Sequence, residues 1–385
     1  MPTISFRDVK IQRRENDLVV GTFGRGIYIL DDFSPLRQIN EENLKEEALL
    51  FPSRDALWYL PERFHTSTHG DFEYQAKNPD FGATFTYYLR DGIKSLSEQR
   101  EDQESEMEEK DRYPLYPSWE DLETELREAD PTVYLVIENE QGNPIRKVNA
   151  EAKKGLHRVT WDLRLSSSRA LGSGSSDDVG PLATPGTYNA TLFSNANGET
   201  RKLTDAVSFN VKPLSYGTVE GSVSPQERSA MMIDVSDLRR RLSTANSKID
   251  HLKAQLKSFR VALDRSTAVT GDSEIRFEQL RQEIFSIEEM VSGKRSSRGF
   301  GSSPATISSR LSMVELGRVN TWGLTDTQKQ QMVYVEVALE QLEPKVDNLF
   351  NNDFPAFKKT LLKAGAPWIP DGFTDAASDE PEDMD

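Results

Sequence analysis

The chain has no cysteine among its 385 residues and only four histidines. Disulfides, thiolate nucleophiles and Cys-ligated zinc are therefore excluded. Basic residues are scarce relative to acids, 47 Lys and Arg against 63 Asp and Glu, for a net charge of −16. Nucleic-acid phosphates need a basic face and anionic lipid repels an acidic one, so neither is an expected partner. Long apolar runs are missing too. Nothing approaches the roughly 18 consecutive apolar residues that cross a bilayer, and no membrane insertion is expected. The opening Met1-Pro-Thr-Ile-Ser-Phe-Arg-Asp8 lacks the apolar core of a signal peptide. Apolar residues make up 36% and charged residues 29%, a polar balance that predicts exposed segments beside two or three packed cores.

Residues 132–214 organise what is present. Thr132-Val-Tyr-Leu-Val-Ile137 and Val207-Ser-Phe-Asn-Val211 bracket Gly155-Leu-His-Arg-Val-Thr-Trp-Asp-Leu-Arg164 and Pro185-Gly-Thr-Tyr-Asn-Ala-Thr-Leu192. Apolar alternation broken by Gly, Asn and Pro predicts short antiparallel strands in a small β-sandwich. Its expected core is Val133, Leu135, Ile137, Ile145, Val148, Leu156, Val159, Trp161, Tyr188, Leu192, Val207, Phe209 and Val211. Phe81–Arg90 predicts a further strand, closed by the Asp91-Gly92 turn. Between these, residues 98–112 carry eight acids, three bases and only Met107 as an apolar residue, which predicts a solvated, mobile insertion. Ser118-Trp-Glu-Asp121 is placed to cap a short helix reaching Arg127.

After residue 224 the period changes from two to seven. Val235, Leu238, Leu242, Ala245, Ile249, Leu252, Leu256, Phe259 and Leu263 step 3-4-3-4. That spacing predicts one long helix, about 60 Å at 1.5 Å per residue. Ile275, Leu280, Ile284, Ile287 and Val291 form a second stripe, Ile307, Leu311 and Val314 a third, and Met332 to Leu349 a fourth. Phe354–Leu362 adds an amphipathic end. Several stripes are available to cover the first, which favours a closed antiparallel bundle. A homodimer through residues 228–264 stays open as the alternative. The last stretch, Asp375–Asp385, holds six acids and no base and is expected to be disordered.

Candidate chemistry is sparse. Gly21, Gly24 and Gly26 could cradle a phosphate only if a helix followed them, and the apolar Ile27–Leu30 that follows predicts a strand and a tight turn. His65 and His69 stand four apart near Asp71 and Glu73, but Ser67, Thr68 and Gly70 make a poor helix there, so a surface loop is expected. Asp162 and Arg164 sit two apart on a strand and are expected to tie the strand end to the Ser/Gly-rich loop of residues 166–180. No residue is nominated as catalytic, cofactor-binding or metal-ligating, and no cofactor is implied.

Two segments carry a family resemblance. Asn16-Asp-Leu-Val-Val-Gly-Thr-Phe-Gly-Arg-Gly-Ile-Tyr-Ile-Leu-Asp-Asp32, with Ser34-Pro-Leu-Arg37, resembles the last propeller blade of sortilin-type BNR-repeat proteins, which often bear a glycosyl hydrolase label. Gly155-x-His-x-Val-x-Trp-Asp-x-Arg164, followed by Pro185-Gly-x-Tyr188, resembles the immunoglobulin-like domain of flagellar hook-capping proteins and type IX secretion sorting domains. The Asp-box Ser-x-Asp-x-Gly-x-x-Trp is absent; Ser53-Arg-Asp55 with Trp58 lacks the Gly and places the Trp two positions early.

The resemblance implies a multidomain α+β protein. Residues 1–60 would be the remnant of a propeller blade. Residues 70–213 would be an immunoglobulin-like sandwich with an acidic insertion near 95–130, residues 222–365 a helical bundle, and residues 374–385 a disordered tail. The implied function is a non-catalytic structural or partner-binding C-terminal region of a larger secreted propeller protein. Its partner would be protein, either its own propeller or another chain, and its location extracellular or periplasmic. The alternatives are an accessory part of a glycoside hydrolase whose active site lies in the propeller, and a coiled-coil oligomerisation module.

Overall fold

The structure is a computed structural model, and it describes residues 3–60, 78–113, 116–167, 169–171, 180–196, 198–214, 223–267, 271–293, 305–319 and 323–370. The histidine pair at 65 and 69, residues 172–179 of the Ser/Gly-rich loop, and the acidic tail lie outside these residues. The fold is mixed α+β. It divides into two compact units, one formed by residues 1–166 with 182–218 and the other by residues 167–181 with 219–385. The segment 167–181 therefore groups with the helices, although the sequence reading places it within the sandwich.

The first unit holds three sheets. Strands β1 (Phe6–Gln12), β2 (Asp17–Thr22) and β3 (Ile27–Leu30) form an antiparallel meander. The glycines at 24 and 26, with φ of 78° and 80°, supply the left-handed backbone of the β2–β3 turn. Thr22 N–H reaches the Gly26 carbonyl at 3.2 Å across that turn.

Strands β4 (Ala48–Leu50), β6 (Ala83–Leu89) and β9 (Gly155–Trp161) make a second antiparallel sheet in the order β4-β6-β9. The third sheet runs β5 (Ala56–Trp58), β12 (Val207–Pro213), β10 (Gly186–Ala196), β7 (Thr132–Asn139), β8 (Pro144–Ala150). Its short β11 (Glu199–Lys202) also pairs with β10. All of its pairings are antiparallel except β5 with β12.

The second and third sheets share one core. Phe85, Tyr87 and Trp161 from one meet Leu135, Ile137, Tyr188, Leu192 and Phe209 from the other. Trp161 packs edge-on to Tyr188 and Phe209, with ring centroids 5.3 and 6.1 Å away. Gly82 is required where β6 starts, because a Cβ there would lie 1.9 Å from the Trp161 carbonyl oxygen.

Leu156, expected in this core, is exposed instead. It stands an odd number of residues from Val159 and Trp161, so the two-residue period of a strand puts it on the opposite face.

Residues 98–112, expected to be a mobile insertion, are largely helix. Helix α1 (Leu96–Glu109) buries none of its residues, so the expectation of solvation holds while that of irregular structure does not. A capping box between Ser95 and Glu98, the pairs Arg100–Glu104 and Glu106–Lys110, and good helix formers throughout account for it without any apolar face. Helix α2 (Trp119–Arg127) starts at the capping box of Ser118 and Asp121.

The second unit is helical: α3 (Pro225–Asp264), α4 (Gly271–Ser292), α5 (Ile307–Glu315), α6 (Asp326–Asn348) and α7 (Phe354–Lys363), with a π turn at Leu349–Asp353. The stripe on α3 from Val235 to Phe259 is buried against Leu280, Ile284, Leu311, Leu339, Leu342 and Phe354 of the other helices in one cluster. Leu256 and Leu263 lie at its margin. Ile275 is exposed, and Phe277 holds the buried position instead, because Phe277 is three residues before Leu280 and Ile275 is five.

Ion pairs flank the seam, among them Arg241–Glu343 at 2.8 Å, Lys253–Glu288 at 2.6 Å and Arg260–Glu274 at 2.8 Å. Replacing Leu252, which is fully buried in the middle of α3, by Ala is expected to cost about 2–5 kcal/mol. Ile275→Ala is expected to change stability by less than about 0.5 kcal/mol. Urea unfolding of the two variants checks the register of both stripes.

Candidate functional site

The polar residues that look most like chemistry are engaged in building turns and ends. Asp162 Oδ1 accepts from the Arg164 backbone N–H at 3.2 Å, and Leu163 between them is fully buried with φ of 54°. The Trp161 indole N–H donates to the Arg164 carbonyl at 2.8 Å, and Ala183 N–H donates to the Leu163 carbonyl at 2.7 Å. Arg164 also bridges to Leu182. The Trp-Asp-Leu-Arg sequence thus makes a locked corner where the chain leaves β9.

Ser53 donates to the Thr84 carbonyl at 3.0 Å, Asp55 pairs with Lys212 and Asn210, and the Trp58 indole donates to the Ala183 carbonyl at 2.9 Å. The Asp55 contacts cross to β12, while Ser53 and Trp58 tie the same segment to β6 and to the corner at Ala183. The three glycines at 21, 24 and 26 lead into strand β3 and not into a helix, so no helix N-terminus faces the turn.

The titratable groups point the same way. A glycosidase acid needs a carboxyl whose pKa is raised by its surroundings. Among the described residues the displaced carboxyls are Asp55, Asp91, Glu227, Asp264 and Glu278, and all five move down. Lys212 and Asn210 lower Asp55, Arg90 lowers Asp91, and the Ser224 cap lowers Glu227. Arg260 lowers Asp264, while Arg281 and Gln282 bring Glu278 to about 2.

Burial pushes the Tyr87 phenol up to about 12, and its hydroxyl donates to the Glu151 carbonyl at 2.7 Å. Burial raises Tyr188 too, and its hydroxyl donates to the Thr184 carbonyl. Neither phenol is poised to ionise near neutral pH. Among the described residues no group of three or more His, Asp or Glu could hold a metal ion, and no helix is long and apolar enough to cross a membrane. A cleft of about 790 Å³ lies beside the start of α1, lined by Asp91, Lys94, Ser95, Glu98, Asp130, Glu151, Lys153 and Lys154. Within it Lys153 pairs with Glu151, while Lys94 pairs with Asp102 of α1 outside the lining.

The unusual surface is the N-terminal sheet. Of the residues in β1, β2 and β3 only Val20 is buried. Directly opposed residues share a face, so Val9 and Ile11 lie with Leu18, Val20, Tyr28 and Leu30. Val19, Ile27 and Ile29 lie on the other face. Ile27 and Ile29 are 70% and 61% exposed, and Val9 and Ile11 are about half exposed. Apolar residues thus stand open on both faces.

Polar contacts tie its turns to the rest of the unit: Arg158 donates to the Asp32 carbonyl at 2.8 Å and Arg54 reaches Glu15 at 3.3 Å. The β1 edge carries Arg7, Asp8 and Lys10, whereas β3 reads Ile-Tyr-Ile-Leu without charge. Charged residues keep an edge strand from pairing with other chains, and β3 lacks them.

No protein-family model matches this sequence, and no curated protein matches it significantly.

The Asp55 pair gives a pH test. Its folded pKa lies below the ordinary carboxylate value near 3.9, so the stabilisation is present above about pH 4 and is lost as pH falls through the lower folded value. Because both partners are well exposed, Asp55→Asn is expected to cost no more than about 1 kcal/mol at pH 7. The difference from the parent should vanish in strong acid, as measured by urea unfolding across that pH range.

Proposed function

We propose that the chain is a non-catalytic, partner-binding region of a sortilin-type BNR-repeat protein, exported to the periplasm or the cell exterior. On this reading β1–β3 are strands of the last propeller blade. The two facing sheets are an immunoglobulin-like sandwich akin to hook-capping and type IX sorting modules, and the helices are an antiparallel bundle. The observation that carries it is the N-terminal sheet, with open apolar residues on both faces and one uncharged edge. A three-stranded sheet needs a packed face to be stable. A sheet apolar on both sides needs a neighbour on each, which is the environment of a blade set among four-stranded blades around a channel. The likeness of residues 16–37 to such a blade supports the same assignment, and the free β3 edge suits a fourth strand.

The glycoside hydrolase alternative places its active site in the propeller. The downward displacement of Asp55, Asp91, Glu227, Asp264 and Glu278 gives it no support from these residues. The coiled-coil alternative needs the α3 stripe to be free, and that stripe is spent on α4, α5, α6 and α7. The full chain is expected to sediment as a monomer, and a dimer that Leu242→Glu dissociates without unfolding would favour the coiled coil. Reading the codons upstream of residue 1 tests the main proposal. An in-frame run of Asp-box repeats is the expected result, and a nearby in-frame stop would sink it. In the chain alone, the amides of β1–β3 are expected to exchange with deuterium far faster than those of β7 and β10.

A further inference from the structure

Helix α2 is amphipathic, yet none of its nine residues is buried. Trp119, Leu122 and Leu126 are spaced i, i+3, i+7 and so share one narrow stripe. Trp119 is 83% exposed and Leu126 86%, with Leu122 half-buried between them. A nine-residue helix is too short to persist through propensity alone, and here it is braced by polar contacts on a different side. Glu125 takes a forked pair of bonds from Arg100 of α1, at 2.9 and 3.1 Å, and Glu128 accepts the Leu96 N–H at 2.6 Å. The Ser118–Asp121 box fixes its start. The protein thus holds α2 in shape while leaving its apolar stripe open.

The surroundings say what kind of partner fits. Residues 95–128 hold thirteen acids against four bases, and Glu120, Asp121 and Glu123 lie on α2 itself. An amphipathic helix with a Trp also suits a membrane surface, but those helices carry Lys and Arg on the polar face, and this one would be repelled by anionic lipid. A folded protein whose apolar groove is bordered by basic residues matches both the stripe and the charge.

We propose that α2 is a docking helix whose Trp119, Leu122 and Leu126 enter an apolar groove, rimmed by Lys and Arg, on a separate protein. The proposal is independent of the blade reading, because it uses no residue of β1–β3. An exposed Trp and two leucines flanked by acids give such a contact its two components: the stripe sets affinity, and the acids set the approach rate and the salt dependence. Helix α1 serves as the brace that presents α2.

The test is calorimetric titration of the full chain with an amphipathic Leu/Lys peptide, whose apolar face bordered by lysines supplies the chemistry of the groove walls. The parent is expected to bind it. Leu122→Gln with Leu126→Gln, which leaves every charge in place, is expected to weaken binding by more than about tenfold. Glu120→Gln with Glu123→Gln is expected to weaken it less and to flatten its salt dependence. Trp119→Gln repeats the apolar test at a side chain that touches little else, should the double variant lose helix by circular dichroism. Unchanged binding by the apolar variants would overturn the proposal, since the peptide would then be held by charge alone. Tighter partition onto phosphatidylcholine vesicles than onto the peptide would overturn it in favour of a lipid surface.

Discussion

A stripe of apolar side chains along some 60 Å of helix has to be covered along its whole length, and α3 sets that requirement for everything after residue 224. No single neighbour is long enough to cover it. The twenty-two residues of α4 and the twenty-three of α6 lie along it, and α5 and α7 contribute further side chains. The breaks between these helices, the Pro344 near the end of α6 and the π turn at Leu349–Asp353 fall where one covering helix gives way to the next. The salt links on either side of the seam are partly exposed and add little energy. They fix which helix lies against which stretch of α3.

The same requirement is met in the sheets that share Trp161, while the β1–β3 meander and α2 are among the places where large apolar side chains stay open. Polar residues tell a complementary story. Several Asp, Ser and Thr side chains serve as caps and corners. Ser95, Ser118, Ser224, Thr306 and Thr325 each close a capping box, and Asp162 closes the corner after β9. Beside these, the β1–β3 meander and α2 leave apolar side chains open. Surface of that kind suits recognition, because burying it against a partner removes it from water without new chemistry.

Much of the architecture was legible because it rests on period. The step from a two-residue to a seven-residue repeat near residue 224 marks the change from sheet to helix. Val235 to Leu252 on α3, Ile307, Leu311 and Val314 on α5, and Val335 to Val346 on α6 are buried where their spacing puts them, while Leu256, Leu263 and Met332 lie at the margin. Period also explains where the structure departs from expectation. Leu156 has the opposite strand parity to Val159, and Phe277, not Ile275, completes the α4 stripe. The helix at Leu96–Glu109 was not legible from apolar pattern because it has none; its signals were the Ser95–Glu98 cap and charge pairs four apart, which an unstructured acidic run also displays. The surfaces singled out as functional were hidden for another reason. Ile27 and Ile29, like Trp119 and Leu126, look like ordinary core residues in a sequence, and only the fold reveals that nothing in the described chain lies over them.

The division of the chain into two units has a consequence for how the protein comes apart. Residues 167–181 sit in sequence between β9 and β10 yet group with the helices, where Ala170 N–H donates to Ser243 Oγ at 3.0 Å. The backbone therefore passes between the units three times. One nick near residue 218 leaves two of those passages whole, so a protease would have to cut three times before sheet and helix could diffuse apart. A gene truncated at that same point would likewise deliver helices short of the loop that Ser243 receives.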